Sequence, residues 1–244
     1  MQVRSWNWQR LTAWPARRAW GLAADGSAWS LVGLTVQAPG LLRVHTSRQF
    51  FSEFTPMGLG AQLREVVGAR GWARQRVNMA LAADELVMGV LEFPAQMPQE
   101  DWLPEIQLEV SQMLGQEPDE VHFDFQPLVR SDTLVQRVQW VGCTQAQIAE
   151  LKNMTRMAGW FLDSVEPAAH AAQRASSWLQ GGLASLLTQP AQDWQFLLPH
   201  RLHTPDHDPS LASSWMPDDA LQQAMKSEAG ARLIASGLAL KAWC

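Results

Sequence analysis

Tyrosine is absent from the 244 residues, and cysteine occurs only twice, at Cys143 and Cys244. Two thiols so far apart build no disulfide framework, which fits a reducing, cytoplasmic setting. An excess of positive charge is also missing. Nineteen Lys and Arg stand against 24 Asp and Glu, a net charge of −5, so no nucleic-acid partner is expected. No run reaches the ~18 uninterrupted apolar residues of a membrane-spanning helix. A secretory leader is not expected either. The start carries Arg4, Arg10, Arg17 and Arg18 with Trp6, Trp8, Trp14 and Trp20, but Ala24-Asp25-Gly26-Ser27 stands where an apolar segment would have to follow. Residues 1–19 therefore read as a basic, Trp-rich arm, either simply an N-terminal arm or one that touches an anionic membrane surface. What the chain does have is apolar mass. Its hydrophobic fraction of 47% is enough for a buried core in one large or two small domains.

The stretch 77–175 organises the rest. Residues 77–82 alternate apolar with small or polar side chains, and 86–93 are β-rich and end at Pro94. Separated by Ala83-Asp84-Glu85, they read as a hairpin. A helix follows, with Leu103, Ile106, Val110, Met113 and Leu114 on one stripe and Gly115 as its stop. The pattern then repeats. Residues 121–125 alternate strictly, 134–143 read as a second strand, and a helix runs over 145–158. Thr144 and Gln147 form its capping box, and Gly159 ends it. Residues 160–165 are a last strand, and Pro167 opens an Ala-rich helix. Two hairpins, each followed by a helix, predict a sheet with helices on one side.

Before this stretch, 20–24, 28–36 and 41–45 read as strands, with turns at Asp25-Gly26 and Ala38-Pro39-Gly40. Residues 57–69 have helical spacing. After it, 188–219 are rich in Pro, Ser, Asp and His and read as a linker, partly disordered, with one strand signal at 194–198. Residues 220–242 look helical with a break near Gly230. The divisions are therefore 1–19, 20–76, 77–166, 167–187 (a connecting helix), 188–219 and 220–244 (a C-terminal helix packed on the first lobe).

Three constellations invite chemistry. His200, His203 and His207 with Asp206 and Asp208 hold metal-binding groups, but Pro199, Pro205 and Pro209 place them on an irregular loop with no zinc spacing, so no metal is expected. Glu100, Asp101, Glu105 and Glu109 suit the start of a helix through its dipole. Cys143 ends a strand with no His near it in sequence, so it reads as a buried structural thiol rather than a nucleophile.

Residues 21–34, the stretch 77–175 and residues 233–240 together resemble the PilM family of type IV pilus assembly proteins, cytoplasmic relatives of the cell-division protein FtsA. The first segment resembles the family's opening Gly-Ile-Asp-Ile-Gly-Ser. The last is similar to its Ala-Ala-Gly-Leu-Ala-Leu. The resemblance implies a truncated actin-like (RNase H-like) α/β fold, with an SHS2-type α/β subdomain inserted at 77–166 and a second lobe largely missing. It also implies where a nucleotide would sit. Ala23 stands at the family's Mg²⁺-holding Asp position and Ser30 at its basic position. Ala23, Asp25, Gly26, Ser27 and Ser30 thus form a degenerate phosphate loop, and a carboxylate at Asp25 would repel a phosphate. The second Asp hairpin is absent, because Gly181-Gly182 carries none.

The implied function is that of a non-enzymatic scaffold without a cofactor. It would lie on the cytoplasmic face of the inner membrane, in a type IV pilus or a related DNA-uptake or secretion system. Its partner would be the N-terminal cytoplasmic tail of a PilN-like bitopic protein, with pilus motor ATPases or the membrane surface as further contacts. The tail would lie in a groove expected between the 21–36 hairpin and the 77–175 unit. The alternative is an actin-class ATP-binding protein with a residual nucleotide site.

Overall fold

The computed structural model of the chain describes residues 19–25, 28–51, 56–67, 75–128, 134–199 and 217–243. It opens with an antiparallel meander of β1 (Ala19–Asp25), β2 (Ala28–Ala38) and β3 (Leu41–Phe51). Helix α1 (Pro56–Val67) leads into β4 (Arg76–Leu81), which runs parallel to β1. A 3-10 turn at Ala83–Glu85 then carries the chain out of this sheet. Strands β5 (Val87–Pro94), β6 (Val121–Pro127) and β7 (Val135–Thr144) form a separate antiparallel sheet in the order β5-β7-β6, and α2 (Trp102–Leu114) packs on one face of it. Helix α3 (Gln145–Met157) brings the chain back, and β8 (Phe161–Pro167) joins the first sheet parallel to β4. Helix α4 (Ala168–Trp178), the single turn α5 (Ser185–Thr188), β9 (Gln195–Leu197), α6 (Asp219–Met225) and α7 (Gly230–Leu240) complete the described chain. The large sheet reads β8-β4-β1-β2-β3-β9.

Both faces of the large sheet are covered, so its central strands are apolar on both sides. One face carries Ala23, Val32, Leu34 and Leu42 against α4, α6 and α7. The other carries Leu22, Leu31, Val77 and Met79 against Leu63 of α1 and Leu151 and Met154 of α3. Helix α7 is the most deeply set, with Leu233, Leu238 and Leu240 fully buried. Burying each such side chain contributes roughly 1.5–3 kcal/mol. Two glycines let α7 come this close. A Cβ on Gly21 would lie 1.9 Å from the Ala235 carbonyl oxygen, and one on Gly237 would lie 1.7 Å from that of Ala171. Only residues without a Cβ fit where β1 and α4 meet the α7 backbone.

Three sequence expectations are corrected here. Residues 77–82 and 86–93 do not pair as a hairpin. Strand β4 lies between β1 and β8 with both edges occupied, while β5 pairs with β7. Its side chains Val77, Asn78, Met79 and Leu81 are all buried, which is the mark of a central parallel strand rather than of a half-exposed hairpin arm. The span 77–166 is therefore divided. Strands β4 and β8 and helix α3 belong to the large sheet, and only β5 through β7 with α2 stand apart. Residues 188–219 are not all linker either. Ala191, Trp194 and Phe196 are buried, and β9 extends the large sheet beside β3. The Trp194 indole N–H donates to the Gln189 carbonyl at 3.2 Å. The capping box of α3 is present as read from the sequence, with the Gln147 backbone N–H donating to Thr144 Oγ1 at 3.2 Å and the Thr144 N–H to Gln147 Oε1 at 2.8 Å.

Candidate functional site

Of the positions expected to form a phosphate loop, Ala23 and Ser30 are buried within the sheet. Ala23 and Ser30 face each other across the β1–β2 pair, and both are 1% exposed. Ala23 is packed in the layer beneath α7, and the Ser30 hydroxyl has no hydrogen-bond partner among the described residues. Asp25 closes β1 opposite Ala28. Gly26 and Ser27 lie outside the described residues, as do the basic arm at 1–18 and the His200, His203, His207, Asp206 and Asp208 cluster. Among the described residues, no group of three or more His, Cys, Asp or Glu side chains is placed to hold a metal.

An open cleft lies elsewhere, between the small sheet and the carboxyl ends of β4 and β8. Its volume is about 140 Å³. Leu81 from β4, Leu86 from the crossover, Phe123 from β6, Val141 from β7, Ile148 from α3 and Val165 from β8 give it apolar walls. His122, Asp124, Cys143 and Glu166 also line it. Carboxyl ends of parallel strands are where open α/β sheets bind their ligands. This cleft does not border the 21–36 hairpin, because β4 and β8 separate that hairpin from the edge that meets the small sheet.

One end of the cleft is fixed by α3. Gln147 completes the α3 cap and also donates from Nε2 to the Glu85 carbonyl at 2.8 Å. That bond ties the start of α3 to the β4–β5 crossover and so sets the position of Leu86. The titratable groups are quiet. Burial first, and Glu85 second, push the Cys143 thiol up to about 11, so it is protonated at neutral pH. Burial and the nearby Lys152 hold His122 below its ordinary value, in the neutral form.

At the far end, Glu166 is 8% exposed and held in an ion cluster. Arg174 of α4 donates to both of its oxygens, at 2.6 and 3.0 Å, and Lys241 reaches Oε2 at 3.1 Å. Burial alone would push this carboxyl up, but Arg174 and Lys241 outweigh it and hold it below the usual carboxylate range. Arg174 also donates to the Gly237 carbonyl at 2.9 Å, and Asn78 Nδ2 donates to that of Leu238 at 2.9 Å. Ser164 in turn donates to Asn78 Oδ1 at 2.7 Å. Side chains from α4 and β4 thus satisfy carbonyls in the last turn of α7. Sequence reasoning missed this cluster because its members come from β8, α4 and the turn after α7. The available signal was His170 and Arg174, one turn apart on an otherwise Ala-rich helix. The Cys143 thiol, protonated as it is, is not an activated nucleophile.

No family model matches the chain, and no curated protein matches it. A chain of the PilM-PilN type IV pilus biogenesis complex superposes on it with a TM-score of 0.52 and 22% identity, over 70% of this chain and 52% of that one. The two share a fold. The present chain therefore spans about half the length of that neighbour, and the α/β architecture is the one the sequence resemblance implied. The cytoplasmic domain of EpsL, an inner membrane component of the type II secretion system of Vibrio cholerae, gives a TM-score of 0.40 at 21% identity, over 63% of this chain and 56% of that domain. Among the described residues, no helix is long and apolar enough to cross a membrane.

Proposed function

We propose that this chain is a non-enzymatic assembly component of a type IV pilus or a related secretion system, and that it docks the cytoplasmic tail of a PilN-like membrane protein in the cleft between its two sheets. The observation that carries this is the cleft itself, preformed and apolar-walled, on a fold shared with a chain of the PilM-PilN complex. An extended tail would lay alternate side chains into such a wall. In this reading the three-stranded sheet with α2 is an SHS2-type insertion, and the short path from α4 to α7 replaces a second lobe. Ala23 buried under α7, and Glu166 engaged by two cations, support a chain without ATP chemistry. Binding the tail would hold the protein at the inner membrane.

The test is a calorimetric titration with a peptide of the tail of the PilN-like protein encoded in the same genome, run with and without Mg-ATP. Micromolar binding indifferent to ATP is the expected result. Binding that requires ATP would favour a surviving nucleotide site, and the absence of binding would end the pilus reading.

A further inference from the structure

The small sheet has two edges, β5 and β6, because β7 runs between them. Backbone parity tells which groups each edge turns outward. The Leu128 N–H donates to the Arg137 carbonyl at 2.9 Å, in step with the β6–β7 register. Counting back in twos, Gln126, Asp124 and His122 turn their N–H and C=O toward β7, while Phe125 and Phe123 turn theirs away from it. Part of that edge is closed. The outward Phe125 N–H donates to the Asp124 carboxylate at 2.9 Å, and Pro127 has no N–H to offer. Such devices blunt a strand edge against pairing. They stop short of Phe123, whose outward N–H and C=O have no partner among the described residues. Phe123 also lines the cleft, with His122 and Asp124 beside it, whereas no residue of β5 does. Strand β8 is the other sheet edge at the cleft, but it is bulged at Asp163 and ends on Pro167, which breaks the regular spacing of its donors.

Charge decides what would pair there. Residues 83–128 hold eleven Asp and Glu and no Lys or Arg, although the whole chain carries only −5. Asp119 and Glu120 lead directly into β6, and Asp124 lies on it. Arg137 is the one Lys or Arg of the small sheet and α2, and it already faces Glu92 at 3.5 Å. Lys152 of α3, near His122, offsets one charge more. An acidic segment would be repelled here. Cytoplasmic segments beside a membrane span carry the opposite excess, of Lys and Arg.

We infer that the docked tail joins the small sheet as an added strand on β6: its backbone pairs with the N–H and C=O of Phe123, and its Lys or Arg side chains face the acidic surface around Asp119, Glu120 and Asp124. This rests on the proposed docking of the tail and adds its mode and its charge.

The experiment titrates the full chain with the tail peptide by calorimetry and follows amide hydrogen exchange by NMR. Binding should slow exchange at Phe123 by about tenfold or more. The amides of Met88 and Val90, outward on β5 by the same parity, are the internal control and should change little. N-methylating the peptide backbone one residue at a time should cost about tenfold in affinity at the residue that donates to the Phe123 carbonyl. Replacing the Lys and Arg of the peptide by Gln should weaken binding by about threefold or more, the scale of exposed ion pairs. The added strand is refuted if the tail binds while Phe123 is slowed no more than Met88 and Val90, or if every N-methylation is tolerated within twofold. The basic chemistry is refuted if the Gln-substituted peptide binds as well as the natural one. If the unmodified tail does not bind, the docking reading fails and the added strand with it.

Discussion

Gly237 sits inside α7, where alanine would ordinarily be favoured over glycine by about 1 kcal/mol. Packing reverses the sign. A Cβ there would lie 1.7 Å from the Ala171 carbonyl oxygen, and the contact is backbone, which cannot rotate away. Gly237→Ala should therefore destabilise the chain by about 1–3 kcal/mol, the usual cost of overpacking. Urea unfolding checks this, and a stabilised variant would mean that α7 does not lie against α4 as described. The Glu166 cluster makes a second residue-level prediction. Its carboxyl titrates below the ordinary value in the folded chain and at about 4.3 in the unfolded one. The stabilisation is thus complete above about pH 4.3 and is lost as the pH falls through the folded value. His170, whose value is lowered by burial, acts with the same sign from about 6.5 downward, because the unfolded chain binds the proton first. Arg174→Met should cost about 3–5 kcal/mol at pH 7 by leaving a buried charge poorly paired. That cost should shrink toward pH 4, where Glu166 without its main partner is protonated. Melts at the two pH values measure it, and an equal cost at both would place the effect in packing rather than charge.

Helices were easier to read than strand pairing, for a physical reason. The α3 cap is a local event of four residues, and Thr144 with Gln147 announces it. Strand partners are chosen at long range. Nothing within 77–93 says that β4 will pair with β1 and β8, some 55 and 85 residues away, and an apparent turn at Ala83–Glu85 made a hairpin the natural reading. The one available hint was that 77–81 offers no charged side chain to solvent. The strand signal at 194–198 was legible and β9 answers it, but the prolines and histidines around it hid its place beside β3. The cleft was legible only as a region, since its walls come from four strands of the two sheets, the β4–β5 crossover and α3. Gln147 links the local and long-range parts, because it caps α3 and also holds the Glu85 carbonyl. Gln147→Ala should cost about 1 kcal/mol in stability, as for a lost cap. It should also weaken tail binding, because Leu86 would no longer be fixed in the cleft wall. Thr144→Ala provides the control, costing similar stability while leaving Gln147 free to hold Glu85. Equal binding by the two variants would show that the crossover needs no clamp.

For the whole molecule, the question is which ligand the fold stabilises. A ligand at 100 times its Kd adds about 2.7 kcal/mol to the folded state, a shift easily seen in a thermal melt of a chain this size. The fold offers two places for this to happen. Beneath α7, Ala23 and Ser30 are closed over by apolar packing, and the buried Ser30 hydroxyl is a lone donor and acceptor rather than a phosphate cradle. Between the sheets, the cleft is open, and β8, which borders it, carries Glu166 on its other face, joined through Arg174 to the Gly237 carbonyl of α7. Saturating Mg-ATP should leave the midpoint of unfolding unchanged, whereas the saturating tail peptide should raise it by the amount its affinity dictates. The stabilisation should also reach α7, slowing amide hydrogen exchange in its last turn, since Arg174 and Asn78 hold carbonyls there. Protection confined to β6 and β7 would mean that the small sheet binds alone and the large sheet only carries it. A shift with ATP would mean that the hairpin at Ala23 opens to admit a phosphate, and the chain would then belong with nucleotide-driven machines rather than passive scaffolds.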